Sequence, residues 1–333
     1  MGSLFISPSY SPYLREIYIG AFQPKDVITN YDKADILILR TGKNITWIDL
    51  KAGVIINHTP FSYLLTDKAF LGLTYPKKVD ILYPIVIGGV INIEDEMKII
   101  EKKLNLGTKG FWILKPPSLF GGKGIVLFQH PSQAEIADEK YKGWILQKYI
   151  ENPLLVGGKK FDIRFFVLET GDGQLYLYKC ANLRMSAKTY SLSSSDMATH
   201  LTNVCYQQKQ GFKSTFSLLD YDDLSSYPIS FYKPSSSDFK MVLSILQGGL
   251  KEVIKKKPKF DDITTFELYG IDVLFSDDGR LFIGEFNTNP AMEFGEGDKI
   301  LTKFRKDMIT ETLEIVLSSK SGKKQKLKKY VKI

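Results

Sequence analysis

A chain of 333 residues with 44% apolar and 25% charged residues is long enough for two or three domains with substantial cores, and its composition is not that of a disordered protein. Two cysteines, Cys180 and Cys205, and three histidines, His58, His130 and His200, exclude a disulfide framework, a Cys-x-x-Cys zinc site and a histidine-rich metal centre, which fits a reducing, cytoplasmic setting. No uninterrupted apolar stretch approaches the length of a membrane span, and the net charge of +8 falls almost wholly on the seven lysines between Lys320 and Ile333.

At the start, MGSLFIS lacks a basic region followed by a long apolar one, and it carries Ile6 where N-myristoylation wants Ser or Thr, so neither secretion nor lipidation is expected. The first part reads as short strands over ADILILR, ITWIDL and GVIINH, followed by a helix from Phe61 to Leu71, which makes a small α/β unit. A boundary is expected near LTYPKKVD. Next come a strand at YPIVIG, a helix over Glu94 to Leu104, the strand FWILKP, a glycine loop, the strand GIVLFQ, a short helix near Ser132 to Lys140 and the strand WILQKYI. The remainder alternates long strands, KFDIRFFVL and QLYLYKCANLR, with a helix from Asp238 to Lys256, a hairpin, and a last helix from Asp298 to about Ser318. The expected division is therefore 1–73, 74–148 and 149–318, with 319–333 as a basic, solvated tail available to an acidic partner. Beyond Tyr330 the tail has no interleaved aromatics, so it carries no specific nucleic-acid signature.

Three segments carry chemistry. ILKPPSLFGGKGIVLF puts Lys115 at a strand end and Gly121, Gly122 and Gly124 ahead of the next strand. Glycine-rich backbone with a lysine can cradle phosphates, but no Gly-Lys-Ser/Thr follows and the loop leads into a strand, so a plain hairpin turn fits as well. In KFDIRFFVL the alternation sends Phe161, Ile163, Phe165 and Val167 to one face and Asp162 with Arg164 to the other, after Lys160; Arg184 ends the next strand. A surface salt bridge is the plain alternative, but so aromatic a strand belongs in the middle of a sheet, where an unsatisfied ion pair is costly.

The third segment is the hairpin YGIDVLFSDDGRLFIGEFNTNP. With Asp278 and Gly279 as a two-residue turn, Asp272 stands directly opposite Glu285, and Asn287 shares their face. Cross-strand Cβ atoms lie roughly 5 Å apart and like charges there destabilise a sheet, so a positive group is expected between them. Hard oxygen ligands of this kind suit Mg²⁺ or Mn²⁺; an exposed hairpin with solvated acids is the alternative. A Cys205/His200 nucleophile pair has no local signature.

Taken together, NHTPFSYLLTDKAFL, FWILKPPSLFGGKGI, LQKYIENPLLVGGKKFDIRFFVL, CANLRMSAKTY, THLTN, FELYGIDVLF and IGEFNTNP resemble, in order, the tubulin tyrosine ligase-like family of ATP-grasp enzymes. The resemblance implies an α/β (α+β) ATP-grasp fold of three domains with ATP between the central and C-terminal ones. It implies a monomeric ligase of the cytoplasm and cytoskeleton that joins a free amino acid, glutamate first, to a carboxylate of tubulin or another acidic protein tail through an acylphosphate. A tubulin tyrosine ligase, an ATP-grasp ligase with a non-tubulin substrate, and an inactive nucleotide- or microtubule-binding homologue are the alternatives.

Carried over by position, Lys68, Lys115, Lys160 and Arg164 would meet the ATP phosphates, and Gln147, Lys148, Tyr149 and Ile150 would form the hinge that receives adenine. Asp162 would contact ribose or the substrate side, while Arg184, Thr202 and Asn203 would line the junction of γ-phosphate and substrate. Arg164, Arg184 and Lys160 would be the catalytic cations, and Asp272, Glu285 and Asn287 the magnesium ligands. The chain departs from the family in a bulkier PPSLFGGKGI loop and in its short length, with no large additional microtubule-binding module expected, only the basic tail.

Overall fold

The protein is described from a computed structural model covering residues 2–42, 45–60, 62, 66, 84–87, 93–104, 110–116, 121–136, 138–213, 215–220, 262–290, 292, 296–322 and 327–333. Lys68, the helices expected over 61–71 and 238–256, and the boundary at LTYPKKVD lie outside these residues, apart from Ser62 and Thr66.

The N-terminal unit contains β1 (Leu4–Ile6), α1 (Pro12–Phe22), β2 (Ile36–Ile38) and β3 (Ile55–Ile56), its strands parallel in that order. Ser11 starts α1 by accepting the Leu14 N–H at 3.3 Å, Pro12 fits the first turn, and Gln23 ends it in a left-handed conformation. Its buried residues Leu14, Ile17, Tyr18, Ala21 and Phe22 recur at helical spacing. ITWIDL, expected as a strand, contains instead a 3₁₀ turn at Trp47–Asp49. Leu50 is extended, and a separate turn at Ala52 and Gly53, the latter at φ 82°, leads into β3, which runs parallel to β2.

The middle block comprises β4 (Pro84–Val86), α2 (Ile93–Leu104), β5 (Phe111–Lys115), β6 (Val126–Gln129), α3 (Gln133–Ile136) and β7 (Ile145–Lys148). Its strands form an antiparallel sheet in the order β4-β7-β5-β6. Ile93, Met97 and Ile100 of α2 pack on Trp112, Leu114 and Leu146. Phe282 joins the same cluster, so this sheet shares a core with the hairpin that bears the acids.

The rest consists of β8 (Leu155–Val156), β9 (Lys159–Thr170), β10 (Leu175–Tyr178), β11 (Cys180–Met185), α4 (Val204–Lys209), β12 (Thr215–Asp220), β13 (Thr264–Phe275), β14 (Leu281–Thr288), α5 (Lys299–Ser321) and β15 (Tyr330–Lys332). β9 and β13 run antiparallel at the centre of one large mixed sheet, and β3 pairs parallel with β13 through Thr264↔Ile55, so the N-terminal strands extend the same sheet. One face buries Phe161, Ile163, Phe165 and Val167 with Leu183, Ile271 and Val273, as the alternation requires. The other face is apolar under α1 and α5, where Phe166 meets Phe304 at 5.6 Å between centroids, and turns charged at Asp162 and Arg164.

Two expectations are corrected at the sheet edge. QLYLYKCANLR is two strands, because the chain changes partners at Lys179: β10 pairs with β15, whereas β11 pairs with β12. The end of the basic tail is a docked strand and not a solvated extension. Tyr330 is buried against Tyr178 at 4.8 Å between rings, its hydroxyl lies 2.8 Å from Thr312 Oγ1, and the Glu311 carboxylate accepts the N–H groups of Lys328, Lys329 and Tyr330. The apolar side chains among the lysines supply the burial that the charge count hides.

Candidate active site

The acid pair forms as expected, Asp272 opposite Glu285, but by a different route. The turn has three residues, Asp277 to Gly279, closed by Ser276 N–H to Arg280 O and Gly279 N–H to Ser276 O, both 3.0 Å, with Gly279 at φ 84°. This shifts the register by one residue. Gly284 then stands as an extra residue between Ile283, opposite Val273, and Glu285, and this bulge restores the alignment. A Cβ at Gly284 would lie 2.7 Å from Leu274 Cδ1, so a larger residue in the bulge would push that leucine aside.

The positive charge facing Asp272 comes from two arginines. Arg164 sits opposite it on β9 and donates from Nε to Oδ1 and from Nη2 to Oδ2, both at 2.7 Å. Arg184 on β11 reaches Asp272 Oδ2 from Nη2 at 2.8 Å and Asp162, its own cross-strand neighbour, from Nε at 2.6 Å. The Thr202 hydroxyl donates to the second oxygen of Asp162. All five residues are buried, and the result is an alternating ladder across three strands. Burial raises the cost of charge at Asp272, but the two guanidiniums outweigh it and hold the carboxyl below its usual range; at Asp162 burial prevails against Arg184 and the carboxyl is pushed up. Gly270 gives Arg164 its path, since a Cβ there would lie 3.2 Å from Arg164 Cδ and 2.6 Å from Pro290 Cβ.

At the open end of the ladder Glu285 and Asn287 are half-buried side by side, with Asn287 Nδ2 3.4 Å from Glu285 Oε1. Their oxygens are hard donors of the kind a divalent cation takes, next to Asp272 on the same face. No group of three or more His, Cys, Asp or Glu side chains suited to a metal occurs among the described residues. The amide oxygen of Asn287 would be the third protein donor beside the carboxylates of Asp272 and Glu285.

Lys160, two residues before Asp162, ends against the middle block. Its ammonium donates to the Tyr149 hydroxyl at 2.9 Å and lies 4.1 Å from that ring, and burial, with the nearby Lys115 charge adding to it, brings its pKa down to about 7 against the pull of Asp162. The same hydroxyl contacts His200 Nδ1 at 3.0 Å, while His200 Nε2 meets Ser194 O at 2.8 Å. With both ring nitrogens so engaged, a Cys205/His200 nucleophile pair does not form. Lys115 donates to Gln147 Oε1 at 2.7 Å. Lys148 points to the opposite face of β7 and ends in a buried pair with Glu151 at 2.5 Å, and the Ile150 side chain belongs to the middle core. Those two residues can offer a ligand their backbone but not their side chains. The glycine loop lies over the segment holding Thr202 and Asn203: a Cβ at Gly122 would be 3.0 Å from Leu201 Cδ1 and 3.4 Å from Asn203 Oδ1.

The structure thus brings Lys115, Gln147, Tyr149, Lys160, Asp162, Arg164, Arg184, Thr202, Asn203, Asp272, Glu285 and Asn287 to one junction between the two sheets. Sequence reasoning missed the part of His200, whose signal is only its place in the HLTN segment, and of Gly270, a lone glycine within an apolar strand.

The model of the tubulin-tyrosine ligase family matches residues 49–325. The chain belongs to that family. Among its relatives, a protein of Tetrahymena thermophila named as a probable alpha-tubulin polyglutamylase is 27% identical over 319 residues, covering 80% of this chain and 75% of the relative. A mouse protein named as a probable tubulin polyglutamylase is 32% identical over 213 residues, covering 59% and 37%. A tubulin glycylase of Drosophila melanogaster is 24% identical over 261 residues, covering 73% and 26%. The chain therefore spans three quarters of the first relative but only about a third and a quarter of the other two.

Proposed function

We propose that this protein is an ATP-dependent ligase that joins an amino acid, glutamate first, to a carboxylate of an acidic protein tail, tubulin above all, through an acylphosphate. The observation that carries the reading is the buried ladder Asp162–Arg184–Asp272–Arg164, held between Lys160 on one side and Glu285 with Asn287 on the other. A fully desolvated array of fixed cations is built for charge that develops on transferred phosphoryl oxygens, where preorganised donors act most strongly. Family membership and the polyglutamylase names of two relatives support the class and the amino acid. The glycylase relative favours glycine as the second reading.

In the reaction, an oxygen of the acceptor carboxylate attacks the γ-phosphorus of ATP, the bond to the β-γ bridging oxygen breaks, and ADP leaves. The amine of the incoming amino acid then attacks the acyl carbon of the acylphosphate and loses a proton, and inorganic phosphate departs with the C–O bond. Arg164, Arg184, Lys160, Lys115 and Lys68 would meet phosphate oxygens, and Asp162 with Thr202 and Asn203 would border nucleotide and substrate. Gln147, Tyr149 and the backbone of Lys148 and Ile150 would receive adenine between the central (74–148) and C-terminal (149–318) domains. Glu285, Asn287 and Asp272 would hold Mg²⁺ or Mn²⁺, which when bound supplies positive charge to the phosphates. No helix among the described residues is long and apolar enough to cross a membrane. The tubulin in the names of the relatives supports a protein that works in the cytoplasm on the cytoskeleton, which the reading takes to be a monomer.

The test is incubation with ATP, Mg²⁺, tubulin and one isotopically labelled amino acid at a time, followed by mass spectrometry of the tubulin tails. Glutamate addition is expected; transfer of tyrosine or glycine alone would replace the amino acid, and no transfer of any would overturn the ligase reading.

A further inference from the structure

Behind the ladder lies a second buried polar cluster that the proposed chemistry does not use. His58, two residues past β3, is fully buried, with Nδ1 at 3.2 and 3.1 Å from the two carboxylate oxygens of Glu267 and Nε2 at 2.9 Å from the carbonyl of Leu39. A carbonyl oxygen only accepts, so Nε2 carries a hydrogen. A neutral imidazole would then turn the Nδ1 lone pair toward a carboxylate. Glu267 also accepts the Thr59 N–H at 3.2 Å, and directly across the sheet stands a second buried acid, Glu169. Glu169 takes the Tyr269 hydroxyl at 2.7 Å and the Thr59 hydroxyl at 3.3 Å. Hydrogen at both ring nitrogens is the state that fits every partner.

The Leu39 carbonyl is a hub. Besides His58 it receives Tyr10 OH at 3.0 Å, Asn57 Nδ2 at 2.9 Å and Asn289 Nδ2 at 3.0 Å. Asn289 holds a left-handed φ of 53° and donates as well to Arg40 O at 3.1 Å. It lies one residue past β14 and two past Asn287. The cluster therefore ties the N-terminal unit to the end of the strand that carries Glu285 and Asn287.

We propose that His58 is a buried imidazolium that acts as a positioning residue: by neutralising Glu267 and gripping the Leu39 carbonyl it fixes Asn289, and through Asn289 the Glu285–Asn287 end of β14. The role as a metal-positioning device rests on the assignment of Glu285 and Asn287 made under the proposed function. The charged group that faces the ring is Glu267 from β13; around that pair stand Glu169 from β9, which takes the Tyr269 hydroxyl, Tyr10, which shares the Leu39 carbonyl, Tyr18, whose charge would act on Glu267, and Arg40 over the Tyr10 ring, while the backbone at Gly42 closes over the imidazole, with a Cβ there 3.2 Å from it. Burial works against the cation, but the charge of Glu267 outweighs it and raises the ring above its ordinary value of 6.5. The anchoring is thus complete below that value and is lost as pH rises through the raised one.

The experiment uses the full chain. Two-dimensional NMR of the three histidine side chains, with His58 assigned by His58→Gln, should show both of its nitrogens protonated at pH 7. Mn²⁺ binding with a non-hydrolysable ATP analogue, followed by water-proton relaxation, should weaken roughly tenfold in His58→Gln and in Asn289→Gly, the latter keeping the left-handed backbone while removing the amide. In the wild type Mn²⁺ affinity should fall on the alkaline side, against the ordinary trend for carboxylate ligands, and His58→Gln should abolish that fall. A neutral His58 ring at pH 7, or unchanged affinity in both variants, overturns the proposal. If the wild type binds no Mn²⁺, the metal assignment fails and the positioning role with it, while the NMR arm still decides the charge on His58.

Discussion

Tyr330→Ala should cost the protein a large part of its stability although the residue lies in a segment dominated by lysine. The ring is 2% exposed and packs 4.8 Å from Tyr178, and its hydroxyl is paired with Thr312. Truncating a buried aromatic of this size costs about 3–5 kcal/mol through lost transfer energy and the cavity left behind. Here the loss also loosens the three N–H groups that Glu311, itself 3% exposed, accepts from Lys328, Lys329 and Tyr330. In a chain of this length that corresponds to a fall in Tm of about 4–7 °C. Tyr330→Phe, which loses only the hydroxyl, should cost about 1 kcal/mol. Thermal and urea unfolding of the two variants and of a chain ending at residue 326 measures this directly. A truncated chain with wild-type Tm would show that β15 does not hold α5 and β10 together, and the tail would return to being a charged extension whose effects are confined to encounter with acidic partners.

Glu285→Gln should abolish ligation with unfolding unchanged, because the residue is only half-buried and the amide keeps its shape; ADP release at the wild-type rate would sink the assignment. Asp272→Asn should destabilise by roughly 3–5 kcal/mol, since it leaves two buried guanidiniums short of a counter-charge. The guanidiniums hold the Asp272 pKa down, so its contribution is present above the unfolded value and is lost only as pH falls through the lower folded one; a variant matching wild-type stability at neutral pH would contradict the ladder. Lys160 loses its charge near pH 7 in the free enzyme, so kcat/KM for ATP should decline above about pH 7, and this limb should vanish in Lys160→Met, whose kcat/KM should be low throughout. A wild-type profile flat to pH 9 would remove Lys160 from the phosphate side.

The legible parts of this fold are those written in local period. β9 shows its two faces through alternation, α2 appears within one residue of its expected start, and both strands of the acid hairpin are visible. Helix α1 carries an equally clear signal, a Ser-Pro start and apolar residues at helical spacing, which a strand-first reading of the N-terminus passes over. The alignment of Asp272 with Glu285 emerges from the sequence only because two unseen features cancel, the longer turn and the bulge at Gly284. The arginine pairing of Asp272 was not legible at all: Arg164 lies 108 positions away, and register between distant strands is set by the packed sheet and not by either segment. β15 is hidden for a different reason, since a few apolar contacts decide its docking while lysines dominate its composition.

The central claim is that the ladder between Lys160 and Glu285 serves phosphoryl transfer to a carboxylate, and the most direct measurement follows the oxygen atoms. With acceptor tails labelled at the carboxylate with ¹⁸O, transfer of the γ-phosphoryl group carries one labelled oxygen into the phosphate released on ligation, and mass spectrometry reads it. The account predicts one ¹⁸O per phosphate with wild-type protein, ATP, Mg²⁺ and the amino acid, and no release above background with Glu285→Gln. Ligation accompanied by unlabelled phosphate would contradict the acylphosphate route, and the ladder would need another purpose.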